Sequence, residues 1–365
     1  MKPPETLART LLAVLMLVAP LVFGARMLFG ERVDEPQFLR PADGDFVLVT
    51  VGQWDDPAEL PTAAHFAAFV RRGQVVGPLW ASSDLPAAAA ASLWTGRAPI
   101  SHGVRGPSDR LPAGTWTVAE AARASGTRTA AFIGGTLVRD AGLTGFDQII
   151  EDPAMDGQTL GRLARGFLAR ETDRRILLWL HLPESGPLAA DFAALLADLD
   201  EALVESGRAA DTIVFATALL SGLDTPDESR LLVPLIARLP AALNAGRTST
   251  AVLAHTDIAG LAMRLLRLAP PSALAGQPPL QSRETVLWGA LRGSSGVLEN
   301  WMEGSFGEVL RLPDQRLALD PTGAFSAKTL RNPRAPEGAT PLRGAALENA
   351  RRRFADYRAA LAPIR

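Results

Sequence analysis

Along the chain, Phe46-Val47-Leu48-Val49-Thr50-Val51 is a short apolar, β-branched run without polar alternation, the pattern of a strand covered on both faces. Similar runs at Val75–Trp80, Arg128–Ile133, Ile176–His181, Thr212–Thr217 and Leu231–Arg238 predict further strands. Between them the apolar spacing changes to that of helices. Phe66, Phe69 and Val70 share one face of a predicted helix over Pro61–Gly73. Thr117–Ser125 is alanine-rich and stops at Gly126. Phe192, Leu195, Leu196, Leu199 and Leu203 form the core stripe of a helix over Ala189–Glu205. His255–Leu268 predicts one more, ended by Ala269-Pro270-Pro271. Strands alternating with helices predict an α/β/α sandwich with a mostly parallel sheet.

The pattern changes after about residue 280. Thr285–Leu291, Glu308–Leu312 and Arg316–Leu319 read as short antiparallel strands, and Pro321–Pro341 is rich in turn residues. Ala345–Ala362 reads as an Arg-rich amphipathic helix with Phe354, Tyr357 and Leu361 on its apolar side. The expected organisation is an α/β core over residues 45–280 and a small α+β subdomain over residues 281–365. Residues 31–44, charged and proline-containing, read as a linker.

Before that linker, Thr10–Ala25 is an apolar run flanked by Lys2, Arg9 and Arg26, and Met27, Leu28 and Phe29 lengthen it. It reads as a signal anchor or a signal peptide within residues 1–30, with the anchor favoured because Arg26 can snorkel. The expectation is an extracytoplasmic protein held to the membrane by this helix, periplasmic in a bacterium and secreted if the segment is cleaved.

Composition narrows the chemistry. The net charge of −2 argues against a nucleic-acid partner. The absence of cysteine excludes disulfides, thiolate metal sites and thiol nucleophiles. The basic residues are nearly all arginine, with Lys2 and Lys328 the only lysines.

The stretch Ser92-Leu93-Trp94-Thr95-Gly96-Arg97-Ala98-Pro99-Ile100-Ser101-His102-Gly103-Val104 resembles the segment after the nucleophile in sulfatases and related members of the alkaline phosphatase superfamily. Other pieces follow in family order. Phe46–Val51 is similar to the first strand, and Gly126–Phe132 with Gly145-Phe146-Asp147 to the strand and turn after the nucleophile helix. Asp211–Phe215, Val233–Ile236 and His255-Thr256-Asp257-Ile258 are similar to later strands and a late helix. The resemblance implies a sulfatase-like fold with its site at the carboxyl ends of the parallel strands. In active relatives, carboxylates from two strands hold a divalent cation that orients a nucleophile and neutralises oxyanion charge.

Those positions are altered here. Gly52 and Gln53 stand where the resemblance places a metal-binding Asp-Asp pair, and Pro86 stands at the nucleophile. Ala90 replaces the following arginine, and Leu219 and Leu220 replace the second metal motif. Thr95, Gly96, Arg97, His102, Gly103, His255 and Asp257 keep family identities. The leading expectation is therefore a non-catalytic protein without a cofactor, serving as a scaffold, binding or accessory subunit with an unidentified protein partner.

Two alternatives stay open. One is a metal-dependent sulfuric- or phosphoric-ester hydrolase or transferase with displaced parts. Its ligands for a divalent cation such as calcium would be Asp55 and Asp56, and its nucleophile Ser82, Ser83 or Thr95. The other is an anion- or glycan-binding module without turnover. Each candidate also has a structural reading. A turn accounts for Asp55 and Asp56. A helix cap accounts for Ser82, Ser83 and Asp84 ahead of Pro86. The end of the nucleophile helix accounts for Thr95–Arg97, and a hydrogen-bonded pair for His255 and Asp257. His181 ends a strand at the edge where function is expected, and His65 lies on an amphipathic helix. Arg162–Arg175 is interleaved with Glu171 and Asp173 and reads as a solvated face. Arg351-Arg352-Arg353 reads either as a polar helix face or as a contact for acidic lipid or a partner subunit.

Overall fold

A computed structural model describes residues 44–54, 64–83, 85–183, 188–221, 231–243, 245–249, 253–268, 308–311, 315–319, 324–329 and 340–361. The strands of the main sheet are β1 (Asp45–Trp54), β2 (Gln74–Trp80), β3 (Arg128–Gly134), β4 (Gln148–Asp152), β5 (Ile176–Leu182), β6 (Thr212–Ser221), β7 (Leu232–Arg238), β8 (Thr248–Ser249) and β9 (Leu253–Ala254). Their order is β4-β3-β5-β1-β6-β7-β2-β8, with β9 also on β2. Every pairing is parallel except those of β7 with β6 and β2. The mostly parallel sheet expected from the strand–helix alternation is therefore present.

Helices cover both faces. Those of the main unit are α1 (Ala64–Arg72), α2 (Pro86–Thr95), the four-residue α3 (Pro99–His102), α4 (Val118–Ala124), α5 (Leu137–Ala141), α6 (Gly157–Arg170), α7 (Leu188–Glu205) and α8 (His255–Leu265). Successive side chains of a strand point to opposite faces. Trp179 of β5 meets Trp94 of α2. Its neighbour Leu180 is in register with Phe132, which meets Phe167 of α6. Thus α2 packs on one face, with α5 and α8 against it, and α6 packs on the other beside α7 and α1. The central strands are buried on both faces, as their unbroken apolar runs require.

Two boundaries differ from expectation. β1 does not end at Val51; Gln53 and Trp54 stay in register with Leu220 and Ser221. β6 likewise runs past Thr217 to Ser221. The apolar Ala218-Leu219-Leu220 beside Gly52 gives the strand a partner to continue along. β4 carried no sequence signal, since its residues Gln148–Asp152 are mostly polar or half-exposed.

Further along the chain, β10 (Glu308–Arg311), β11 (Gln315–Leu319), β12 (Phe325–Thr329) and β13 (Thr340–Pro341) form an antiparallel sheet in that order, followed by α9 (Gly344–Leu361). β12 lies inside the stretch expected to be turns; five pairs with β11 override its weak local pattern. The strand expected at Thr285–Leu291 lies outside the described residues, as do the 1–30 helix and the 31–44 linker apart from Gly44. No helix among the described residues is long and apolar enough to cross a membrane.

Candidate functional site

Open α/β sheets bind ligands outside the carboxyl ends of their strands. Here that edge is formed by the ends of β1, β5 and β6 and by the entry to α2. Pro86 occupies the first turn of α2, where its missing N–H costs nothing. The Ala87–Ala91 run gives strong helix propensity, and Ala88–Ala91 are fully buried between the sheet, α5 and α8.

The capping expected from the serines does not occur. The residue at the cap is Leu85, without a side-chain hydrogen bond to the helix. Ser83 Oγ instead accepts the Leu85 N–H at 3.1 Å, just outside the helix. Ser82 Oγ is buried without a hydrogen-bond partner among the described residues. Asp84 lies outside the described residues.

Thr95 sits at the other end of α2, about 14 Å along the axis from Pro86 at 1.5 Å per residue. Its hydroxyl donates to the Ala91 carbonyl at 2.7 Å and accepts the Arg97 N–H at 3.2 Å. It closes the helix and does not join Ser82 or Ser83 in a nucleophile site. Gly96 follows at φ +66° and Gly103 ends α3 at φ +83°, both in the left-handed region that favours glycine.

The buried histidines are each committed to the fold. His102 Nδ1 accepts the Val104 N–H at 3.1 Å, so Nε2 carries the proton it gives to Ser92 Oγ at 3.0 Å. This joins α3 to α2. Burial lowers its pKa to about 4, aided by the Arg97 charge and opposed by a backbone hydrogen bond.

His255 donates Nε2–H to the Ala218 carbonyl at 3.1 Å. Its Nδ1 takes the Ser82 N–H at 3.4 Å. Both ring nitrogens are occupied by backbone, so the imidazole is not placed to activate the Ser82 hydroxyl. Burial lowers its pKa to about 4. Asp257 accepts the Ala254 N–H at 2.7 Å at the start of α8. Burial raises its carboxyl to about 6, and that hydrogen bond partly opposes the shift. The expected His255–Asp257 pair is thus two separate backbone contacts.

His181 heads a chain that the sequence reading missed. Trp179 Nε1–H donates to Thr50 Oγ1 at 2.9 Å, and the Thr50 hydroxyl meets His181 Nδ1 at 2.8 Å. Burial lowers His181 to about 3. Its only sequence signal was the i, i+2 spacing of Trp179 and His181, which puts them on one strand face. His65 lies on α1, with its side chain outside the description.

At the expected metal positions, Gly52 is buried in β1 and Gln53 is backbone-paired beside Leu220. Leu219 is fully buried. Trp54 meets Phe192 of α7 edge to face at 5.6 Å. These residues bring aromatic and aliphatic carbon to the strand ends, where a hard cation would need oxygen ligands. Among the described residues no three His, Asp or Glu side chains are grouped to hold a metal ion, and Asp55 and Asp56 lie outside them. Ala90, at the arginine position, is fully buried.

No protein-family model matches the chain, and no curated protein matches it in sequence. Solved structures do match in fold. A protein in the alkaline phosphatase superfamily from Vibrio parahaemolyticus is 14% identical with a TM-score of 0.62, covering 89% of this chain and 91% of that one. BT1596, a 2-O GAG sulfatase, is 14% identical with a TM-score of 0.61, covering 87% and 91%. The lipoteichoic acid synthase LtaP from Listeria monocytogenes is 12% identical with a TM-score of 0.60, covering 91% and 96%. At such identities the likeness concerns the fold, and the fold of this chain is that of the sulfatases and the alkaline phosphatase superfamily.

Proposed function

We propose that this chain is a non-catalytic sulfatase-like protein, exported and anchored by residues 1–30, that serves as a binding or accessory subunit of a membrane-associated assembly. The observation that carries the reading is the occupancy of the strand ends. Gly52, Gln53, Leu219 and Leu220 stand where the resemblance places metal ligands, and Pro86 where it places the nucleophile. Trp54 against Phe192 adds apolar bulk at that edge. Among the described residues, Thr95 caps a helix end and His255 is bonded to backbone on both sides, so neither is arranged to serve a nucleophile. The anchor reading rests on the apolar run Thr10–Ala25 with its flanking basic residues.

The test is elemental analysis of the purified full chain with a thermal-shift titration of calcium, magnesium, manganese and zinc, alongside assays on aryl sulfate and aryl phosphate esters. The expected result is no stoichiometric cation, no shift and no turnover. One equivalent of cation lost on replacing Asp55 and Asp56 by alanine, together with ester hydrolysis, would overturn the reading in favour of a displaced metal centre. Membrane fractionation of a chain lacking residues 1–30 checks the anchor; retention in the membrane counts against it.

A further inference from the structure

The opposite edge of the sheet, where β1, β6 and β2 begin, holds a charge arrangement that the strand-end site does not use. Arg238, the last residue of β7, is 7% exposed. Its guanidinium pairs with one carboxylate oxygen of Asp200 on α7. The other oxygen of Asp200 takes Arg72, at the end of α1, at 3.2 Å. Two guanidinium groups therefore share one carboxylate, leaving one positive charge in excess. Arg238 Nη2 is buried and has no hydrogen-bond partner among the described residues. Burial, with the Arg72 charge added, lowers the Arg238 pKa to about 10.

The surroundings add positive charge. Arg71 and Arg247 are exposed and make no ion pair among the described residues. The turn that leads to Arg247 abuts the end of α1: Gly246 N–H donates to the Gly73 carbonyl at 2.9 Å, and a Cβ on Gly246 would stand 4.0 Å from the Arg71 carbonyl oxygen. A water could accept from the orphaned N–H, but it would not balance the charge. A tetrahedral oxyanion does both, because a planar guanidinium presents paired donors that fit its oxygens. Arg72 has 58% of its side chain exposed and is the solvent-facing member of the pair.

We propose that Arg72 and Arg238, with Asp200 between them, form a binding site for a phosphate or sulfate oxyanion, free or carried as a monoester. It lies at the edge of the sheet remote from the strand ends where the fold places its active centre. It stands independently of whether that centre is catalytic.

The experiment is a thermal-shift titration of the full chain with inorganic phosphate and with sulfate, each against chloride at matched ionic strength. Glycerol phosphate in a parallel arm shows whether an ester substituent is admitted or only the free ion. The expected result is a saturable rise in Tm, with apparent affinity about tenfold weaker in Arg72→Gln, since one charge-assisted donor set is lost. Arg238→Met should abolish the rise, but its burial puts folding at risk, so the exposed Arg72→Gln carries the test. Arg165→Gln is the control. Its arginine pairs with Glu201 and Glu205, is 40% exposed, and should leave the affinity unchanged. Equal stabilisation by chloride, or equal phosphate affinity in the wild type and Arg72→Gln, would overturn the proposal.

Discussion

At its carboxyl end, helix α2 stops on Gly96 at φ +66°, with Thr95 back-bonded to Ala91 and Ser92 tied to His102. At its amino end, the residue before the helix contributes no cap, and the nearby Ser82 hydroxyl lies buried without a partner among the described residues. The family resemblance follows the same division. Thr95, Gly96, Arg97, His102 and Gly103 keep their identities, whereas Pro86 and Ala90 do not. The comparison teaches that a motif adjoining a reactive centre can survive for mechanical reasons. Thr95 closes a helix and His102 joins two.

The largest expected effect comes from removing the body of the well-built end. Trp94 is 1% exposed and packs on Trp179 and Phe146. Trp94→Ala should cost about 3–5 kcal/mol in urea unfolding. A loss below about 1 kcal/mol would show that this end is looser than its contacts imply.

Acid should act on both ends. His102 and His255 have folded pKa values lowered to about 4 and His181 to about 3, from an ordinary 6.5. Below pH 6.5 the unfolded chain takes up three protons that the native chain resists, so stability falls. Asp257 acts the other way, because its folded pKa is raised from 3.8 to about 6 and its penalty disappears as pH drops. The net difference approaches two protons near pH 5, a slope of about 2.7 kcal/mol per pH unit from these groups. Urea unfolding across pH 4.5–6.5 reads the slope. Native-state NMR assigns the ends, with neither the His102 nor the His255 imidazole expected to titrate above about pH 5.

Smaller effects sharpen the contrast. Gly96→Val places a β-branched residue in the left-handed region, with its Cβ 3.1 Å from the Ala259 Cβ, and should cost about 2 kcal/mol. Ser82→Ala should change stability by less than about 0.5 kcal/mol or raise it slightly, because it removes an unsatisfied buried hydroxyl. A large loss there would reveal a partner for Ser82 and weaken the contrast between the ends.

The framework of the fold was legible because strands covered on both faces leave unbroken apolar runs, as at Phe46–Val51 and Ile176–His181. The helix end at Thr95–Gly96 was legible because only glycine takes that backbone easily. β4 and β12 were not, since their own apolar patterns are weak and pairing with β3 and β11 makes them strands. The continuation of β1 through Trp54 lay beyond the apolar run that ends at Val51. At the candidate site, the identities at Gly52, Gln53 and Pro86 could be read directly. The partners of Thr50, His181 and His255 could not, because each hydrogen bond spans the fold: Thr50 and His181 lie 131 positions apart.

Ala88, Ala89, Ala90 and Ala91 carry only methyl groups, and all four are fully buried where α2 meets the sheet, α5 and α8. The elements around this helix pack against side chains of one carbon. An arginine introduced at position 90 would bring a long charged side chain into a layer shaped for one carbon and should lower stability. Packing of this kind acts as a ratchet: substitutions at the surface of such a protein are tolerated far more readily than larger side chains along this helix.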